Sequence, residues 1–408
     1  MRCPSLRRGP QGKEPRVRSF VVAVLLCAFS APAAAPKLGV VLVVDQLSAE
    51  TLRARLPTAT GGFKRLAGEG FVFHEARYEA VPTITAVGHA TLLTGAWGEV
   101  HGIVANDWLE VATGKPRRST EDPAFAVLGR PAQPRDGTAP TWLRAPTLAD
   151  EVKRAHERAL SVSISTKDRS SILCAGRAGL AVWFDSVLPV FTTSSFYAKE
   201  LPAFLGPVNE RLSRQLLSGA FAWGLPAGGI TGQAPKLQPP PDAGEPIAER
   251  PEAQALLDSA EVDVALEAVR ALGLGQDEVP DLLTISFSGH DRIGHLFGPD
   301  APESLAEFAH LDRELGRLLT QLDALVGKGR YVVALSSDHG VAPLPELAQA
   351  RGLDAGRVDL KALTARLEQA LDQKLGPQDW FLGAKVPGLT FNPALRERAL
   401  TRFEALRA

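Results

Sequence analysis

Five residues of this 408-residue chain have the donor chemistry of a metal centre: Asp45, Asp291, His295, Asp338 and His339. Carboxylate and imidazole together suit zinc, and manganese less well, at catalytic rather than structural sites. Asp291 and His295 are four residues apart, the spacing that puts two side chains on one helical face. Asp338 and His339 are adjacent, so only a bent loop can aim both at one ion, and Gly340 permits that bend. Singly, each also fits a cap, a turn or a surface charge. Together, at the ends of apolar runs, they point to a shared metal site.

A second group could do chemistry beside such a site. Pro82 and Thr83 break an extended segment, and Ala86 to Leu93 reads as a helix stopped by Gly95. Thr85 then lies at a helix N-terminus, where free N–H groups and the macrodipole favour an anion. Alone, a threonine there is an N-cap; beside a metal its hydroxyl can ionise and attack. Lys167 and Arg169 alternate on a segment read as extended, so both cations can face one anion. Alone, they are two solvated charges after a strand. Asn106 offers an amide donor. Of the other histidines, His89 and His101 read as fixing the loop around Thr85 by hydrogen bonds. His74, His156 and His310 read as surface or helix positions, and His290 can point either way.

Four apolar runs deliver these residues. Leu38–Val44 ends at Asp45, and 159–164 runs into Ser165–Arg169. Asp281–Phe287 runs into Ser288–Asp291, and 331–335 into Ser336–Gly340. Runs apolar on both faces read as central parallel strands. Helical patterns separate them at 60–69, 146–159, 253–273 and 302–327, with another at 359–375; in the fourth, Leu305, Phe308 and Leu315 to Leu325 should face the sheet. The expected fold is α/β, a doubly wound, mostly parallel sheet flanked by helices, with ligands outside its carboxyl edge. Residues 112–146 and 224–252, rich in proline and glycine, read as inserted loops or a small cap.

With 45% hydrophobic and 22% charged residues, the chain suits one large domain carrying insertions. Residues 1–35 read as a secretory signal. They hold a basic stretch, an apolar core from Phe20 to Phe29 too short to span a bilayer, and Ala33-Ala34-Ala35. Cleavage near Ala35 would give a periplasmic or secreted bacterial protein. It would remove six Lys/Arg and one Glu, taking the net charge from −1 to −6. A mildly acidic chain with no basic run argues against a nucleic acid scaffold as partner. Of three cysteines only Cys174 would survive, which excludes an intramolecular disulfide and a thiolate zinc site.

The set Val44-Asp45, Thr85 with Asn106, Asp291 with His295, and Asp338-His339-Gly340 resembles the alkaline phosphatase superfamily. Residues 81–89 and 101–107 look most like phosphate-irrepressible bacterial alkaline phosphatases with a threonine nucleophile, and 166–176, 181–185 and 194–202 are similar to the same group. The resemblance covers roughly 38–345 and implies a fold like that of type I phosphodiesterases and nucleotide pyrophosphatases. It also implies two zinc ions: one held by Asp45, Asp338, His339 and the Thr85 oxygen, the other by Asp291 and His295. Lys167, Arg169 and Asn106 would bind the phosphate, and Thr85 would become a phosphothreonine. The family's third protein ligand to the second zinc is a histidine further on; this sequence has none after His339, so weaker binding there is expected. For the same reason 36–408 reads as an alkaline phosphatase-like domain missing its C-terminal portion. The implied activity is zinc-dependent hydrolysis of small phosphate monoesters. Nucleotide pyrophosphatases and phosphodiesterases of the same superfamily are the alternative, though they lack the Lys-x-Arg pair. An inactive phosphate-binding remnant is the third reading.

Overall fold

The computed structural model describes residues 35–110, 113–133, 135–218, 250–385, 388–393, 395 and 407. It divides into Met1–Ala35 and Pro36–Ala408, and the account below concerns the second unit. The segment read as a secretory signal, up to residue 34, and most of the stretch 224–252 read as an insertion lie outside the described residues.

The chain begins with β1 (Leu38–Val44), α1 (Ala49–Arg55), α2 (Gly62–Glu69), α3 (Thr85–Thr94) and α4 (Gly98–His101). A hairpin of β2 (Asp107–Glu110) and β3 (Lys115–Arg118) follows, then α5 (Leu148–Ala155), started by a capping box between Thr147 and Asp150. Next come β4 (Ser161–Ser165), α6 (Asp168–Ala175), β5 (Leu180–Asp185), β6 (Val190–Thr192) and α7 (Leu205–Ser218). The long α8 (Pro251–Leu272) leads to β7 (Asp281–Phe287), α9 (Gly289–Phe297), α10 (Pro302–Leu322) and β8 (Tyr331–Ser336). The remainder holds α11 (Pro345–Ala350), α12 (Leu360–Leu375) and a hairpin of β9 (Phe381–Lys385) and β10 (Gly388–Phe391).

Six strands form one sheet in the order β6-β5-β4-β7-β1-β8, parallel throughout except for β6. The doubly wound α/β expectation is met. A large core cluster joins the sheet to α2, α7, α8 and α10, and a smaller one joins α3 to α6. Register matters most for the site. Val44 pairs with Phe287, Ser286 with Ser165, and Val43 with Ser336. The residues after these ends therefore emerge from one rim.

Some expectations need correction. The segment 331–335 reads as a central strand, but β8 is an edge strand whose Val332 and Ala334 are exposed. Apolar content alone does not distinguish the two when the edge residues are β-branched. The helix expected over 302–327 ends at Leu322 and continues as one π turn, and Leu305 is exposed rather than facing the sheet. Lys167 and Arg169 do not lie on an extended segment: Lys167 is the N-cap residue of α6 and Arg169 sits in its first turn.

Candidate active site

Asp45 follows β1, Asp291 lies in the first turn of α9, and Asp338-His339 follow β8. All four side chains are buried or nearly so. One ligand atom each from Asp45, Asp291 and His339 fall within 4.8 Å of one another. His339 Nε2 is 3.3 Å from Asp45 Oδ1 and 3.6 Å from Asp338 Oδ2. Both of those oxygens are buried and have no hydrogen-bond partner. Neither oxygen accepts a well-formed hydrogen bond, and each is faced only by imidazole nitrogen, His339 Nε2 for both and His89 Nδ1 at 3.2 Å for Asp338 Oδ2. A cation, imidazolium or metal ion, must therefore balance them. Tetrahedral donors around zinc, at about 2.0–2.1 Å each, lie roughly 3.3–3.4 Å apart. The Asp45, Asp338 and His339 donors fit such an ion.

Neighbouring groups fix these donors. His339 Nδ1–H donates to Gly340 O at 2.9 Å, which turns Nε2 inward. Asp338 Oδ1 accepts from the backbone N–H of His339 at 2.9 Å and of Gln46 at 3.1 Å, leaving Oδ2 free for the centre. Gln46 also donates from Nε2 to Asp291 Oδ1 at 2.8 Å, tying the two sides of the site together. It does so with a φ of 70°, a left-handed conformation uncommon outside glycine. Residue type gives no sign of this role; the only pointer is adjacency to Asp45. His290 donates from Nδ1 to Asp45 O at 3.3 Å, and its Nε2 faces Arg55 at 3.4 Å.

Thr85 is the first residue of α3 and is buried. The N-cap is Ile84, so the Thr85 hydroxyl is not spent on capping. The Ala86 N–H donates instead to Asn106 Oδ1 at 2.8 Å, which anchors Asn106 beside Thr85. His89 Nδ1–H donates to Thr85 O at 2.8 Å and lies 3.2 Å from Asp338 Oδ2, while its Nε2 meets Ser286 Oγ at 2.6 Å. His89 therefore links the helix start, a metal-site carboxylate and β7. The contact is close because residue 88 is glycine: a Cβ there would stand 2.2 Å from Asp338 O.

Lys167 Nζ is 2.5 Å from Asp45 Oδ2 and 2.6 Å from Asp291 Oδ2, with its side chain buried. Arg169 keeps a buried Nε without a hydrogen-bond partner. His295 Nε2 is 3.1 Å from Asp291 Oδ1, on the same helical face, but its side chain is 67% exposed and stands at the rim. His101 bonds to Thr91 Oγ1 and to the Ile103 N–H, both at 3.1 Å. His310 meets Ser259 Oγ at 3.1 Å, and His74 and His156 are exposed.

Electrostatics follow from this crowding. Burial and Asp338 push the Asp45 carboxyl up, but Lys167 and His339 outweigh them and its pKa is lowered. Burial and Asp45 likewise oppose ionisation of Asp291, and Lys167 and His295 win. Asp338 is held well below the usual range, since His89, His339 and Lys167 together overcome its burial. Burial pushes His339 down, yet its bond to Asp45 and the charge of Asp338 raise it to about 9. His290 is lowered to about 4 by burial and by Arg55. The result is an ionised carboxylate cup that concentrates cations at the start of a helix able to receive an anion.

Known proteins carry the same architecture. The family model for type I phosphodiesterase / nucleotide pyrophosphatase matches residues 39–363. The chain is 32% identical over 362 residues to alkaline phosphatase PafA of Elizabethkingia meningoseptica, covering 84% of this chain and 66% of that protein. It is 31% identical over 395 residues to a calcium-transporting ATPase of Myroides odoratus, covering 89% and 71%. The crystal structure of wild-type alkaline phosphatase PafA superposes with a TM-score of 0.81 at 29% identity, covering 91% of this chain and 75% of that one. The chain thus spans about two thirds of the length of these curated relatives. With the family model running from β1 into α12 and the backbone superposing on PafA, the chain belongs to the type I phosphodiesterase / nucleotide pyrophosphatase family, within the alkaline phosphatase superfamily.

Proposed function

We propose that the chain hydrolyses phosphate monoesters through Thr85. The observation that carries this is the uncapped Thr85 hydroxyl at the start of α3, linked through His89 to a carboxylate–imidazole cluster with orphaned oxygens. Asp45, Asp338 and His339 would hold one zinc ion, and Asp291 and His295 a second. Two such ions lower the pKa of a hydroxyl and neutralise charge on the attacking and leaving oxygens.

The chain's own residues do the rest. Thr85 Oγ1 gives its proton to solvent and attacks phosphorus; the ester P–O bond breaks and the departing alkoxide takes a proton back from water. Water then attacks the phosphothreonine, breaking its P–O bond and returning the hydroxyl. With Asn106 Oδ1 held by the Ala86 N–H, its amide nitrogen is the group left to donate to a phosphoryl oxygen. The Thr85 and Val87 N–H groups at the helix start add dipole and hydrogen bonds. Arg169, with its unpaired Nε, and Lys167 match a dianion better than the single charge of a diester. PafA, the similar protein of known structure, is an alkaline phosphatase, which supports the monoester reading.

Turnover of p-nitrophenyl phosphate against bis-p-nitrophenyl phosphate tests the assignment. The monoester should be preferred, EDTA should abolish turnover, and Thr85→Ala should lower kcat/KM by about three orders of magnitude or more. A preference for the diester would favour the phosphodiesterase reading. We further propose that residues 1–35 direct export and are removed near Ala35; N-terminal sequencing of the periplasmic protein checks this.

A further inference from the structure

We infer that Lys167 holds the second cation position of the site, so that a second metal ion enters only by expelling its ammonium group. The inference rests on the two-metal reading above. It follows from how the carboxylate oxygens are already shared.

Asp45 Oδ1 and Asp338 Oδ2 are buried, accept no well-formed hydrogen bond and face His339 Nε2, with His89 Nδ1 also 3.2 Å from Asp338 Oδ2. An ion entering between them takes the place of the His339 Nε2 proton and displaces no ammonium. The other half of the site differs. Asp45 Oδ2 and Asp291 Oδ2 both contact Lys167 Nζ, at 2.5 and 2.6 Å. Asp291 Oδ1 is taken as well, by Gln46 Nε2 at 2.8 Å and by His295 Nε2 at 3.1 Å. A metal ion ligated by Asp291 Oδ1 and His295 must therefore share the Asp291 carboxylate with the ammonium on Oδ2, and one that takes both oxygens must displace it. A dication and an ammonium cannot share two carboxylate oxygens at such range in a buried pocket, because like charges there repel strongly.

The lysine stem is long and flexible enough to leave without moving the backbone. Once displaced, Nζ is a mobile cation at the edge of a site built for a phosphoryl dianion. Loading would then be ordered: first the Asp45–Asp338–His339 position, then the Asp291–His295 position, with Lys167 released to substrate only at the second step. One side chain would serve as counter-ion before loading and as phosphate ligand after it.

Zinc titration of the EDTA-stripped full chain by chelator competition tests this, with wild type compared to Lys167→Met. Wild type should show a tight and a weaker step. Lys167→Met should leave the tight step within about threefold and strengthen the weak one by about tenfold or more. A second readout covers a variant that does not fold. In wild type, acetylation of Lys167 read by mass spectrometry should stay low through one equivalent of zinc and rise with the second. An unchanged or weakened second step in Lys167→Met, or acetylation that does not change between one and two equivalents, overturns the inference. Absence of even the first step from wild type overturns the two-metal reading itself.

Discussion

The chemistry of individual side chains is set by which atoms are left over. His339 must lose a proton to bind a metal through Nε2, yet Asp45 and Asp338 raise its pKa to about 9. A raised histidine pKa contributes stability that is complete below the unfolded value near 6.5 and is lost as pH rises through about 9. In EDTA, thermal stability should therefore decline over that window, by roughly 3 kcal/mol in all. Saturating zinc should reverse the trend, because proton and metal compete for one nitrogen. Melting curves from pH 6 to 10, with and without zinc, show both signs. Arg169→Ala should lower kcat/KM for monoesters by about one to two orders of magnitude and affect diesters less, since it removes a partner for the second negative charge. Parallel kinetics on the two p-nitrophenyl substrates measure the difference.

At the scale of elements, the donors were legible because three strands end in them. Leu38–Val44 is apolar on both faces and Asp281–Phe287 is buried along its whole length, and their observed bounds match those read from residue type. The short elements were not legible. Nothing in the 166–176 segment distinguishes an extended stretch from the start of α6, since Lys167 and Asp168 suit either. The fit between elements was hidden too: Gly88 looks like a poor helix residue until Asp338 is seen against it. Gly88→Ala should push α3 off the Asp338 loop, leave secondary structure intact, and lower kcat/KM at least about a hundredfold. Circular dichroism beside kinetics checks it. The start of α2 depends similarly on Asp312, whose carboxylate accepts the N–H groups of Thr60 and Gly61 at 2.7 Å each and of Phe63 at 2.9 Å. Asp312→Ala should cost about 2–4 kcal/mol in denaturant unfolding, with the Asp45–Asp291–His339 cluster untouched.

For the molecule as a whole, a cost lies behind the site. Asp258 and Glu261 of α8 and Glu307 of α10 are fully buried, with five carboxylate oxygens lacking partners. Burial comes first among the causes that raise Asp258 and Glu261 well above the carboxylate range; Glu307 adds to it for Asp258, and for Glu261 burial overcomes its neighbours Thr166, Asp258 and Lys167. Acids raised on folding contribute stability at low pH that is lost as pH rises through the folded value. Glu261→Gln should then flatten the alkaline arm of the stability profile, read as a higher Tm at pH 9 than wild type.

Gln46 reaches Asp338 across 292 positions and Asp291 across 245. No short stretch of polypeptide can make that bridge, and loop closure over such spans comes late. A growing chain lacks the Asp45–Asp291–His339 cluster until residue 339, just past β8, has been added and folded beside β1. The cluster is therefore a property of the finished fold, and an ion that needs all three donors can be captured only after synthesis has brought them together.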